Sequence, residues 1–232
     1  MPSLIETQYA NVQTAEEVIE AALAGGNAER ACFTCSFQAE DMIVLYLLRQ
    51  NAPEIPVLFL ETGYHFPETY AFRDEIEREW NLNLVNVLPE QTVAAQEAAF
   101  GLLYKSQPTQ CCQFRKVDPL LKALRPYKVW FTGLRREQSP TRKNLQQSEL
   151  HKLPTGEALN KVSPLAAWTW GQVWEFTAKN KIKYLPQYDR GYLSIGCEPC
   201  TALPRDADNP RSGRWGGQKL ECGIHTFSEP QK

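Results

Sequence analysis

The stretch Ala31 to Leu48, ACFTCSFQAEDMIVLYLL, decides the fold. Ala31 to Phe37 is short, apolar and β-prone, which predicts a strand. Ala39-Glu40-Asp41 then places acidic residues where a helix begins, and Met42 to Leu48 continues it as an apolar helical run. The same strand-to-helix unit recurs along the chain. Val57 to Leu60 (VLFL) reads as a buried strand, Glu61-Thr62-Gly63 breaks it, and Pro67 suits the first turn of a helix running through Trp80. Leu82 to Leu88 alternates like a strand and Thr92 to Phe100 follows as a helix. Further on, Cys111 to Leu124 reads as helical, Val129 to Thr132 (VWFT) as a strand, and Gly133 to Ser148 as a long polar loop of the kind that carries function. In Ala167 to Asn180, Trp170, Val173, Trp174 and Thr177 share one helical face, which reads as a core stripe. Repeated units of this kind predict an α/β fold with a single doubly wound, mostly parallel sheet and helices on both faces. Its ligands are expected at the carboxyl edge of the strands. After Pro204 the composition shifts to Pro, Gly, Arg and Asp, so residues 1–203 are expected to form the domain and 204–232 an irregular, mobile tail.

The 232 residues are 43% hydrophobic and 11% aromatic, enough for a sizeable core in one domain. Lys and Arg number 25 against 27 Asp and Glu, a net charge of −2, so no global positive field draws in nucleic acid. No apolar run approaches the ~18 residues of a membrane span. The start, MPSLIETQYA, lacks the basic and apolar regions of a signal peptide, so a cytoplasmic protein without membrane partners is expected. Seven cysteines in a reducing compartment read as ligands or reagents rather than disulfides.

Four of the seven form a constellation: Cys111-Cys112 and Cys197-Glu198-Pro199-Cys200. Soft, charged donors from two distant segments suit an iron–sulfur cluster or a Cys₄ zinc site, and four unrelated buried thiols are the bland alternative. Adjacent cysteines splay apart and favour a cluster with several metal corners over one tetrahedral ion. Cys222, in KLECGIH, stands alone with His225 three residues on and Lys219 nearby. It reads either as a nucleophile whose thiolate is favoured by positive neighbours or as an ordinary surface cysteine. Cys32 and Cys35 also make a CxxC, but inside an apolar strand, where packing is the better reading.

The loop Ser36 to Asp41 joins strand to helix, where free N–H groups attract phosphate, although SFQAED is neither GxxxxGK[ST] nor GxGxxG. Basic residues cluster in segments expected at the same edge: Arg115, Lys116, Arg135, Arg136, Arg142, Arg205, Arg211 and Arg214. Their forks suit a small phosphate- or sulfate-bearing ligand. His65 and His151 read as polar loop residues rather than metal ligands.

Together Cys111-Cys112, Cys197-x-x-Cys200 and Glu221-Cys222-Gly223-Ile224-His225 resemble the assimilatory adenylylsulfate (APS) reductases of the phosphoadenylylsulfate (PAPS) reductase family. Ser36 to Asp41 is similar to that family's modified pyrophosphatase loop, Glu61-Thr62-Gly63 to its nucleotide-binding turn, and Thr132 to Ser139 to its TGxRR-x-QS loop. The resemblance covers roughly residues 30 to 226. Gln38 stands where the family's best-known loop has Gly.

The resemblance implies an adenine nucleotide alpha-hydrolase-like fold and a [4Fe-4S] cluster on Cys111, Cys112, Cys197 and Cys200. It implies that Cys222 attacks the sulfur of APS, expels AMP and leaves an S-sulfocysteine that thioredoxin cleaves to sulfite. Lys116, Arg211, Arg214 and His225 match the family's phosphosulfate-binding positions; Ser36, Phe37, Thr62, Gly63, Gly133 and Arg142 would hold the adenosine. PAPS, alone or alongside APS, is the alternative substrate, and a homo-oligomer is compatible with the family. Two other readings compete: an ATP-dependent adenylating enzyme of the pyrophosphatase type, and a non-catalytic Cys₄ zinc protein.

Overall fold

Strand β1 (Ala31–Thr34) is flanked on one side by β2 (Val57–Leu60) and β3 (Leu84–Val87), and on the other by β4 (Val129–Phe131), β6 (Ala158–Val162) and β5 (Ser148–Lys152). This computed structural model describes residues 14–206, 209–219 and 221–225. All neighbouring strands are parallel except β5, which runs antiparallel to β6. The central strands are apolar but for Thr34 at the end of β1, because both faces are buried. Alternation sends Phe33, Phe59 and Phe131 to one face and Cys32, Leu58 and Trp130 to the other.

On the first face pack α1 (Ala15–Leu23), α2 (Ala39–Asn51), α3 (Pro67–Trp80) and α7 (Trp170–Lys179), through residues such as Ile19, Ile43, Phe72 and Val173. On the second lies α6 (Asp118–Leu124), through Leu120 and Leu124. Helix α2 has apolar residues almost all round, as a helix buried on several sides must. Helix α3 covers the residues expected of it, with Pro67 in its first turn. Helix α4 (Val93–Phe100) is capped by Thr92, whose hydroxyl accepts from the Ala95 N–H.

The helix expected over Cys111 to Leu124 is one continuous helical path, but not a uniform one. It runs as α5 (Pro108–Cys112), a π-helical turn at Gln113–Val117, and α6. Such widened turns occur frequently at functional sites, and this one lies between the paired cysteines and the core helix. The β5–β6 hairpin was not anticipated. Its register places Trp130 beside Lys161 and Lys161 beside Glu149, a row running across three strands. His151 lies on β5 and is buried, so its expected place in a loop is corrected: it packs edge-on to Trp130 at 5.7 Å. Among the described residues no helix is long and apolar enough to cross a membrane.

Candidate active site

The sheet changes direction between β1 and β4, since the connections from β1 run outward through β2 and β3 while β4 lies on its other side. A crevice opens outside the carboxyl ends of strands at such a point. Here it is a cleft of about 440 Å³ lined by Thr34 at the end of β1 and Ser36 just after it, Leu60 at the end of β2 and Gly133 after β4, and roofed by Arg211, Trp215, Cys222 and His225 of the C-terminal segment. That segment, expected to be an irregular tail, is irregular in backbone but packed: Arg214 and Trp215 are buried.

The loop after β1 is turned back on itself. The Asp41 carboxylate accepts from the Ser36 N–H and hydroxyl, both at 2.6 Å, and from the Gly133 N–H. Burial pushes the Asp41 carboxyl up to about 6. Donors that an open phosphate loop would offer are thus partly taken by the chain's own carboxylate. Gly133 must be glycine because a Cβ there would lie 2.1 Å from Asp41 Oδ1. Gln38, at the position where a glycine was the familiar residue, bridges the site: its Oε1 accepts from the Ile195 N–H at 2.7 Å and its Nε2 donates to Ser36 Oγ at 3.0 Å.

The loop after β4 is anchored by an ion pair. Arg135 Nε and Nη2 donate to Glu40 Oε1 at 3.0 and 2.8 Å, with both side chains under 10% exposed, and the guanidinium lies over Trp170 at 5.3 Å. Trp170 therefore serves the cleft wall as well as the core stripe.

Four of the cations named from sequence meet around Cys222. Lys116 lines both the cleft and a smaller pocket behind it. Burial pulls its ammonium down, but the sulfurs of Cys197, Cys222 and Cys112 more than offset that and hold it above its usual value. Arg214 donates from Nε to the Cys200 carbonyl at 3.2 Å and lies over Trp215 at 4.6 Å. Gly196 makes room for it, since a Cβ there would lie 2.0 Å from the guanidinium. Burial, with Arg142 beside it, pulls Arg211 down to about 10. Arg142 is bound to Glu221 in two-pronged fashion, Nε to Oε1 at 2.9 Å and Nη2 to Oε2 at 2.6 Å. His225 stacks on Trp130 at 5.4 Å with its Nδ1 buried and without a hydrogen-bond partner, and burial pulls its ring well below the usual histidine range.

Other sequence-named residues lie elsewhere. The Phe37 ring is wholly buried against Phe59 and Phe72 and does not line the cleft. Thr62 and Gly63 lie on the cysteine side: the Thr62 carbonyl accepts from Arg115, and its hydroxyl accepts from the Cys197 thiol at 3.3 Å. Arg115 itself is buried behind the cysteines, Arg136 donates to the Leu145 carbonyl at 2.8 Å, and Arg205 is exposed outside the cleft lining. Sequence reasoning gave His65 only a polar loop role, whereas it lines the cleft and bonds the Leu60 carbonyl through Nε2 at 2.9 Å, and it assigned no role to Glu221. The acidic residue beside a lone cysteine amid arginines was the available signal for the latter.

All seven cysteines are free thiols. Cys111, Cys112, Cys197 and Cys200 line one small pocket with Lys116, Arg115 and Arg214. Burial raises the Cys111 thiol to about 11 and that of Cys200 to about 12, with the other sulfurs of the set adding to the rise, so the four lie within electrostatic reach of one another. Among the described residues no three His, Cys, Asp or Glu side chains are gathered as the ligands of a metal ion. The tight loop of Cys197 to Cys200 is tied to the loop after β2, with the Glu198 N–H donating to the Tyr64 carbonyl at 2.7 Å.

Residues 30–203 match the phosphoadenosine phosphosulfate reductase domain. The chain is similar to an adenosine 5'-phosphosulfate reductase of Rhodococcus opacus, 41% identical over 216 residues covering 92% of this chain and 86% of the relative. A protein of the same name from Mycobacterium tuberculosis is 44% identical over 207 residues, 87% of this chain and 80% of that one. In fold it is similar to a phosphoadenylyl-sulfate reductase from Candida auris, with a TM-score of 0.72 at 22% identity, covering 85% of this chain and 95% of that one. A Candida glabrata FMN adenylyltransferase shares the fold at a TM-score of 0.58 and 16% identity. The doubly wound sheet, the cleft at its switch point and the extent of these matches place the chain in the phosphoadenosine phosphosulfate reductase domain family.

Proposed function

We propose that the protein reduces APS to sulfite and AMP in assimilatory sulfate reduction, with Cys222 as the nucleophile. The observation that carries this reading is the position of Cys222, in the roof of a switch-point cleft and within electrostatic reach of Lys116, Arg211 and Arg214. An anionic substrate and a thiolate repel one another, and three cations at one point relieve that repulsion. The Cys222 thiolate attacks the sulfonyl sulfur; an S–S bond forms, the bond from sulfur to the phosphate oxygen breaks, and AMP leaves with the electron pair. A thiolate of a dithiol reductant of the thioredoxin class then attacks Cys222 Sγ and releases sulfite. Its second thiol resolves the mixed disulfide, so the two electrons come from dithiol oxidation.

His225, its Nδ1 without a partner and its ring held neutral by burial, lines the cleft where the phosphosulfate would lie. Ser36 and Gly133 lie where adenosine would meet the strand ends. The closure of the loop by Asp41 and the absence of an open phosphate cradle weigh against the adenylating reading.

Cys111, Cys112, Cys197 and Cys200 are the residues that would hold a [4Fe-4S] cluster. Four free thiols on one pocket, beside two arginines and a lysine, suit a bound group of negative charge. When bound, the cluster would supply a fixed charge beside the cleft. The chain's own part is to set Lys116, on the π-helical turn next to Cys112, between the thiol pocket and the substrate. Cytoplasmic residence follows from the reducing chemistry such thiols need. PAPS as an additional substrate and assembly of the chain into an oligomer are secondary parts of this reading, resting on the family resemblance.

Incubating anaerobically purified protein with APS in the absence of reductant tests the reading. It expects one SO₃ added, mapped by peptide mass to Cys222, and brown protein; an unmodified Cys222 in protein that binds APS overturns it. Colourless protein holding zinc would sink the cluster assignment alone.

A further inference from the structure

Cys222 is bracketed by two anchors. On one side the Glu221 carboxylate, about 13% exposed, accepts from Arg142 Nε and Nη2, accepts from the Thr141 hydroxyl at 2.9 Å, and lies 3.7 Å from Arg211. On the other the His225 ring stacks on Trp130, and its carbonyl accepts from Lys161 Nζ at 3.4 Å. Lys161 is itself fixed by Glu149, its cross-strand neighbour on β5.

Each of the three guanidinium nitrogens of Arg142 makes a hydrogen bond: Nε and Nη2 donate to Glu221 and Nη1 donates to Gln138. Resemblance gave Arg142 to the adenosine, but none of its nitrogens faces the cleft unpaired. From this geometry we propose that Arg142 is the receptor for the C-terminal segment, and that Glu221 is a positioning residue whose bidentate pairing with Arg142 sets where Cys222 Sγ stands in the cleft. The inference rests on the proposed sulfonyl transfer for its kinetic consequence, but not for the latch itself.

The physical argument is one of placement. Glu221 is the residue next to Cys222, so fixing its carboxylate in two directions removes most of the freedom of the Cys222 backbone. The planar fork of Arg142 matches the carboxylate, and both side chains are largely out of solvent, so the pair is not a freely exchanging surface contact. The anchors on the two sides differ in kind. The His225 side is held by stacking and a backbone carbonyl, whereas the Glu221 side depends on one carboxylate, paired in two-pronged fashion with Arg142 and assisted by Thr141 and the more distant Arg211. A misplacement of about 1 Å at a reacting atom can cost on the order of 100-fold in rate.

The test uses the full-length, anaerobically purified protein as Glu221→Ala, Arg142→Ala and the double variant, with Glu221→Gln as the conservative change. Three readouts are taken: AMP affinity by calorimetry, the single-turnover rate of SO₃ transfer from APS, and the rate of iodoacetamide alkylation at Cys222 by peptide mass. The latch predicts faster alkylation in both single variants, by about threefold or more, and sulfonyl transfer slowed about 10- to 100-fold. AMP affinity should stay within twofold, and the double variant should be no worse than either single one, because both remove the same pairing. Glu221→Gln should fall between wild type and Glu221→Ala.

An AMP affinity that falls tenfold or more in Arg142→Ala while Glu221→Ala leaves it unchanged assigns Arg142 to the nucleotide and overturns the proposal. So do unchanged alkylation rates, or effects of the two substitutions that simply multiply. If the wild type itself forms no adduct with APS, the functional reading fails, and the alkylation and AMP arms still decide the latch.

Discussion

Cys32 lies within β1 and Cys35 one residue beyond it, whereas Cys197 and Cys200 bracket a single 3₁₀ turn at Glu198–Cys200. Both pairs have the spacing CxxC. In the extended segment, alternation sends Cys32 and Cys35 to opposite faces of the sheet, one beside Leu58 and Trp130, the other in the larger core with Phe33 and Phe59. In the 3₁₀ turn, three residues per turn bring the two sulfurs to the same side, onto a pocket already lined by Cys111 and Cys112. Burial pushes the thiols of Cys32 and Cys35 far above the usual range with no cation to counter it. The second pair faces Lys116 and Arg214. Secondary structure, not spacing, makes one pair packing material and sets the other on a pocket shared with two further thiols.

The strongest way to break this comparison is Cys200→Ser. It should abolish bound iron and visible colour and lower sulfite release on the order of 100-fold or more, read by metal analysis and sulfite assay. Retained iron and turnover would put the pair back among ordinary buried thiols.

On the other face of the sheet, beside Cys32's neighbour Trp130, His151 is pulled down by burial and by Lys161 to about 4. The unfolded chain therefore takes up the proton first. The stability this neutral ring contributes is fully present above about pH 6.5 and is lost as pH falls toward 4, by about 2 kcal/mol. Denaturant titrations across that window should show a slope in the wild type that His151→Gln reduces; an identical slope in both would exonerate the ring.

Gly196 sharpens the contrast from within the loop that carries Cys197 and Cys200. A Cβ there meets the Arg214 guanidinium at 2.0 to 2.7 Å, so Gly196→Ala should displace that cation. The expected outcome is APS binding weakened about tenfold, equivalent to about 1.4 kcal/mol, with iron content unchanged. The smallest effect belongs to Cys32→Ala: a loss of about 1 kcal/mol in chemical denaturation, with colour and turnover as in the wild type.

Much of the fold was legible because parallel strands buried on both faces are continuous apolar runs, as VLFL and VWFT are. The β5–β6 hairpin was not, because SELHK and ALNKV are half polar, and their charged members are satisfied only by each other: Lys161 finds Glu149 across the hairpin. The cysteine set and the cations near Cys222 could be named from local motifs. Phe37 could not be placed, since an aromatic in a nucleotide loop reads the same whether its ring faces ligand or core; here it has φ of 59° and turns inward.

What the order of residues dictated was every feature carried by local pattern: strand-to-helix units, the paired thiols, the cluster of cations and the motif of the lone cysteine. What awaited the folded molecule was the pairing of charges over long separations. Arg135 with Glu40 and Arg142 with Glu221 join residues 95 and 79 positions apart. Any arginine can neutralise any carboxylate, so composition leaves the partners undetermined. The packed sheet and the loops on its edge bring particular ones within 3 Å, and thereby separate cations that face the cleft from those that hold the chain in place.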